Sequence, residues 1–135
     1  MSFIELPGID EVTEPEIRPT ARYPLVITGA KIKPSKEKVG HNNIEVVIGF
    51  DDDPEEIYIP IFQYLALPHP DDEVKSRRFK LRNIKSFCQV FGITVDGGIN
   101  VEEFVGSRGE CNVKAGDYEG RPKHELVLPA VAETD

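Results

Sequence analysis

Tryptophan is absent from this chain, methionine occurs once and cysteine twice. Cys88 and Cys111 stand far apart among apolar neighbours and build no disulfide framework, so free thiols filling core space in a reducing compartment are expected. No apolar run approaches the roughly 18 residues that a membrane-spanning helix needs, so a helical membrane protein is excluded. The opening MSFIELPGID has neither a basic start nor a long apolar stretch, so no secretory signal is read and a cytoplasmic location is expected. Catalytic signatures are missing too. His41, His69 and His124 are scattered, with no His-x-x-x-His, CxxC or HExxH spacing, and neither a GxSxG elbow nor a Walker-type glycine loop occurs. A protein without enzymatic activity, metal or cofactor is the expectation.

What the chain does have is unevenly placed charge. Its 135 residues carry 24 acids and 16 bases, a net charge of −8, which taken whole points away from nucleic acid. By segment the balance changes. Residues 1–20 hold five acids and one base, and residues 51–73 hold eight acids and no base. Residues 21–50 hold five bases against two acids, and residues 74–92 hold six bases and no acid. Phosphate affinity follows the local field within about 8–10 Å at physiological salt, so the segregation matters more than the sum.

Residues 1–20, with Pro7, Pro15 and Pro19, read as an extended acidic arm. Residues 21–129 read as one domain and 130–135 as a short tail. YPLVITGAKIK, from Tyr23, is rich in β-branched residues and predicts a strand. Ile44, Val46, Ile48 and Phe50 alternate with smaller or polar residues, the clearest strand pattern in the chain. A third strand is expected from about Glu56, with Pro60 marking an edge or bulge. The period then changes. Leu81, Ile84, Cys88 and Phe91 form an apolar helical stripe ending at Gly92, and Asn100 with Glu103 resembles a cap for one short turn. Alternation returns over Glu110–Ala115 and in KHELVL. The order β-β-β-α-β-β predicts an all-β domain with one helix, a five-stranded OB-fold Greek-key barrel with the helix between strands 3 and 4.

Three constellations bear on function. In the third strand Tyr58, Phe62 and Tyr64 share one parity and Ile57, Ile59 and Ile61 the other. If the isoleucines fill the barrel, the aromatics face outward and suit stacking on unpaired bases; the reverse arrangement makes them core. The run KSRRFKLRNIK supplies Lys75, Arg77, Arg78, Lys80, Arg82 and Lys85. Lys75, Arg78, Arg82 and Lys85 share one helical face, fit either for phosphates or for a solvated surface balancing the acids at 51–73. Two loops that border the groove of an OB barrel are basic: Lys31, Lys33, Lys36 and Lys38 in the first, and Lys114, Tyr118, Arg121 and Lys123 in the last hairpin. Asp51, Asp52 and Asp53 lack the ligand spacing of a calcium loop and read as a solvated turn.

From about Tyr23 to Pro129 the chain resembles the small single-stranded DNA-binding proteins encoded by tailed bacteriophages. The resemblance rests on AKIKPSKEKVGHNNIEVVIGF, on the helix running into a Gly-Ile in FKLRNIKSFCQVFGI, and on VEEFVGSRGECNVKAGDYEGRPKHELVL. It implies an OB-fold, sequence-tolerant binding of single-stranded DNA and a place in phage DNA replication or recombination, with Tyr118 and the hairpin bases as binding residues. Replication or recombination proteins would then be partners. The chain departs from that pattern in its three aspartates after strand two and in finishing VAETD rather than in an acidic tail with a terminal aromatic. The other reading is an OB-type interaction module or phage structural adaptor whose basic helix docks an acidic partner.

Overall fold

The computed structural model describes residues 2–12 and 14–129; the expected tail at 130–135 lies outside them. Period-2 apolar alternation produces five strands: β1 (Ala21–Pro34), β2 (Asn42–Phe50), β3 (Ile61–Ala66), β4 (Arg108–Tyr118) and β5 (Arg121–Val127). One helix, α1 (Val74–Phe91), separates β3 from β4. All strand pairs are antiparallel and form a single sheet in the order β3-β2-β1-β4-β5. Leu25 and Ile27 of β1, Ile44, Val46, Ile48 and Phe50 of β2, and Ile61 and Leu65 of β3 point to one side and are buried. The helix covers that side with Ile84, Phe87, Cys88 and Phe91, and Phe104 stacks on Phe87 at 5.8 Å. Among the described residues, no helix is long and apolar enough to cross a membrane.

Local chemistry ends the helix and seats it. Gly92 takes the left-handed conformation (φ 66°) and its N–H donates to the Cys88 carbonyl, which closes the C-terminus without a Cβ penalty. At Gly109 of β4, a Cβ would stand 2.1 Å from the Val90 carbonyl oxygen, so only glycine lets the helix backbone come this close to the sheet. Asn100 accepts from the Glu102 N–H at 3.0 Å as the cap pattern implies. Glu103 instead turns to Thr94, accepting from its N–H and hydroxyl at 2.8 and 2.9 Å.

Three expectations are corrected. The sheet is not closed into a barrel: β3 and β5 approach each other, yet no backbone ladder joins them. The third strand begins at Ile61 rather than near Glu56, because residues 57–59 pair with the N-terminal segment instead. Glu16 donates its N–H to the Ile57 carbonyl and accepts from the Ile59 N–H, both at 2.9 Å. Leu81, expected in the apolar stripe, is exposed; the buried stripe starts one turn later at Ile84.

Side chains bridge the seam between β3 and β5. His124 of β5 is buried, with Nδ1 2.8 Å from the Ile59 carbonyl, and the Arg18 N–H donates to Nε2 at 2.8 Å. Both ring nitrogens are therefore used by the neutral imidazole carrying its proton on Nδ1. The Arg18 guanidinium lies 4.1 Å above the Tyr23 ring, 4.9 Å above Phe50 and 4.6 Å above Tyr58. It also binds both carboxylate oxygens of Asp52, at 2.6 and 3.2 Å, which holds that carboxyl below its ordinary range. The three aspartates do form a turn with Asp51 and Asp52 exposed, but each carboxylate is also engaged. Asp52 anchors Arg18, Asp53 accepts from the Ile57 and Tyr58 N–H groups, and Asp51 meets Arg108 at 3.2 Å.

Candidate nucleic-acid interface

Register places the outward residues of three strands in rows. Val47 lies between Gly29 and Phe62, Glu45 between Lys31 and Tyr64, and Asn43 between Lys33 and Ala66. Because β3 buries Ile61 and Leu65, the intervening Phe62 and Tyr64 must face away from the core. They are 53% and 58% exposed. The loop joining β1 to β2 rises beside them and contributes Lys36 and Lys38. Together with Lys33, His41 and Glu45 these side chains line an open cleft of about 560 Å³. Lys31 stands on the same outward row as Tyr64.

The charges in the cleft are not all free. Lys33 Nζ is 2.9 Å from Glu45, and this hydrogen bond holds the lysine above and the glutamate below their ordinary pKa ranges. Lys80 reaches the cleft from α1 but is bound by Asp72 at 2.8 Å, with both side chains largely covered. Lys80 is therefore a structural cation and not a free phosphate ligand. Lys31, Lys36 and Lys38 make no ion pair among the described residues.

Two histidines that sequence spacing does not connect hold the loop in place. The His41 and His69 rings stack with centroids 4.0 Å apart and planes 16° from parallel. This ties the β1–β2 loop to the segment leading into α1, where the His69 N–H donates to Asp72 at 2.8 Å. Burial, then the neighbouring His69 and Lys80, push the His41 pKa down, so its ring is neutral at physiological pH. Its Nδ1 is enclosed without a hydrogen-bond partner among the described residues.

Several expected site residues fall elsewhere. Tyr58 does not join Phe62 and Tyr64; it is half-buried under Arg18, edge-on to Phe50 at 5.9 Å. Pro60 and the pairing with Glu16 reset the parity between them. Lys75, Arg78 and Arg82 share an exposed face of α1, whereas Lys85 is half-buried beside the buried Ile84, Ser86 and Cys88. Neither they nor Arg77 line the cleft. In the last hairpin, Glu119 and Gly120 make a tight turn with φ of 50° and 80°, leaving Tyr118 64% exposed. Lys123 Nζ sits 5.3 Å from the Tyr118 ring centroid and 2.6 Å from Glu125, while Lys114 and Arg121 are exposed. This turn lies past the Ala21 end of β1 and the β1–β2 loop past the Pro34 end, so the two basic loops do not share one cleft.

Neither cysteine lines the cleft. Burial pushes the Cys88 thiol up to about 11 and raises that of Cys111, so both stay protonated in the core. No cluster of three or more metal-ligating side chains occurs among the described residues. The arrangement offers flat aromatic faces and flexible cations, which suits a ligand that is planar and anionic. Comparison with models of known protein families and with curated proteins finds no match to this chain.

Proposed function

We propose that the chain is a non-enzymatic, sequence-tolerant binder of single-stranded DNA, acting in phage DNA replication or recombination inside a bacterial cytoplasm. One observation carries the reading: Phe62 and Tyr64 turn outward side by side along β3, next to a loop bearing Lys36 and Lys38. Unpaired bases stack on such rings at about 1–3 kcal/mol each, while lysines neutralise the backbone and release counterions. Duplex DNA keeps its bases stacked inside and offers the rings nothing. The strand order, with α1 between β3 and β4, agrees with what an OB-fold would have, with side chains in place of a β3–β5 ladder, and this supports the same reading. The resemblance to phage single-stranded DNA-binding proteins points the same way, though its emphasis on Tyr118 shifts here to Phe62 and Tyr64.

Fluorescence anisotropy with labelled oligo-dT, against a duplex of equal length and at several salt concentrations, tests the proposal. Preferred binding of the single strand is expected, with log affinity falling linearly with log salt by about 0.7 per phosphate contacted. Equal affinity for duplex, or no salt dependence, contradicts it.

A further inference from the structure

Two exposed surfaces of opposite charge play no part in the cleft. The first is residues 2–12. Their backbone hydrogen bonds are internal, closing one turn at Ile9–Glu11, and among the described residues none reaches the body of the protein. Phe3, Ile4, Leu6, Ile9 and Val12 are all exposed, Phe3 at 92%. Glu5, Asp10 and Glu11 are interspersed among them, with no base. The second surface is the outer side of α1. Lys75, Arg78, Phe79 and Arg82 stand at i, i+3, i+4 and i+7 and so form one continuous stripe. Phe79 is 64% exposed, and none of the three cations is ion-paired among the described residues.

We propose that residues 3–12 of one copy lie along the Lys75–Arg82 stripe of α1 in a second copy. Acids then meet bases, and the arm's apolar side chains cover Phe79. Each surface lacks what the other supplies. In its own chain residues 2–12 are all exposed and share no backbone hydrogen bond with the other described residues. The cleft is the poorer match for an acidic arm, because Glu37 and Glu45 line it and Lys33 is already paired, whereas residues 74–92 contain no acid. Glu16 is pinned to β3's approach segment, and the dozen residues before it span up to about 40 Å when extended, which is ample reach to a neighbouring molecule. The contact joins two different patches, so it closes as a reciprocal dimer or extends copies along a bound strand.

Sedimentation velocity on the full chain, over a wide concentration range and at low and high salt, reads this contact. The wild-type protein is expected to self-associate, and less so at high salt. Two variants, Phe3→Ser/Leu6→Ser and Arg78→Glu/Arg82→Glu, should each weaken association by about tenfold or more while melting like wild type. Adding Glu5→Lys/Glu11→Lys to the helix variant should restore association. A monomeric wild type, association indifferent to the helix reversal, or a correctly folded charge-exchanged protein that stays monomeric would each overturn the proposal. Oligo-dT affinity of the isolated protomer is read separately, and it should be the same in the arm variant.

Discussion

The seam and the cleft are built from the same residue types and end in opposite states. At the seam, Tyr23, Phe50 and Tyr58 surround Arg18, whose charge is answered by Asp52. In the cleft, Phe62 and Tyr64 stand near several lysines, yet no cation lies over either ring among the described residues. The seam consumes its own aromatic and electrostatic capacity and becomes structure. The cleft leaves that capacity open to a ligand. Aromatic and basic residues together therefore say little about binding until their internal partners are counted.

The largest expected contrast comes from cutting the seam at its centre. Phe50→Ala removes a buried ring in contact with Tyr23, Tyr58 and His124, and should cost about 3–5 kcal/mol in denaturant unfolding. Oligo-dT affinity per folded molecule should not change. A Phe50→Ala protein that binds more weakly while fully folded would erase the distinction between the two regions.

A pH titration sharpens the same contrast. Burial depresses the His124 pKa, and the neutral ring accepts from the Arg18 N–H. The proton is therefore bound more readily by the unfolded chain, whose imidazole titrates near 6.5. Stability is fully present above about pH 6.5 and is lost as pH falls through the lower folded value. His41 is depressed as well and adds to the slope. Melting temperatures should fall between about pH 7 and 5, and His124→Gln should lower stability at neutral pH while flattening that fall. A wild-type melting temperature independent of pH over this window would contradict the assigned protonation.

How much of this was legible beforehand depended on what fixed each element. The alternation of Ile44, Val46, Ile48 and Phe50 and the spacing of Ile84, Cys88 and Phe91 report burial directly, so β2 and α1 follow from periodicity alone. β3 does not, because its approach is set by Glu16, a partner more than forty residues away in sequence that no local pattern announces. The outward aspect of Phe62 and Tyr64 was one of two open parities, decided by Ile61 filling the core. The His41–His69 stack and the His124 bridge arise from chain crossings and leave no periodic trace. Lys80 looks like its neighbours in sequence; only the fold shows that Asp72, just ahead of the helix, holds it.

Smaller effects separate the free cations from the engaged ones. Lys36→Ala should reduce the salt slope of oligo-dT binding by about 0.7 if that lysine meets a phosphate. Lys80→Ala should instead lower stability and leave the slope unchanged, because its charge is bound to Asp72. Tyr118→Ala should alter oligo-dT affinity least of all, since its turn lies away from the cleft and Lys123 already approaches its ring.

The most direct measurement is oligo-dT anisotropy on Phe62→Ala and Tyr64→Ala, singly and together, with thermal melting of the same samples. Each substitution should weaken binding by about 1–3 kcal/mol and leave the melting temperature close to wild type, because neither ring fills the core. A double variant that folds and binds oligo-dT as tightly as wild type would contradict the account.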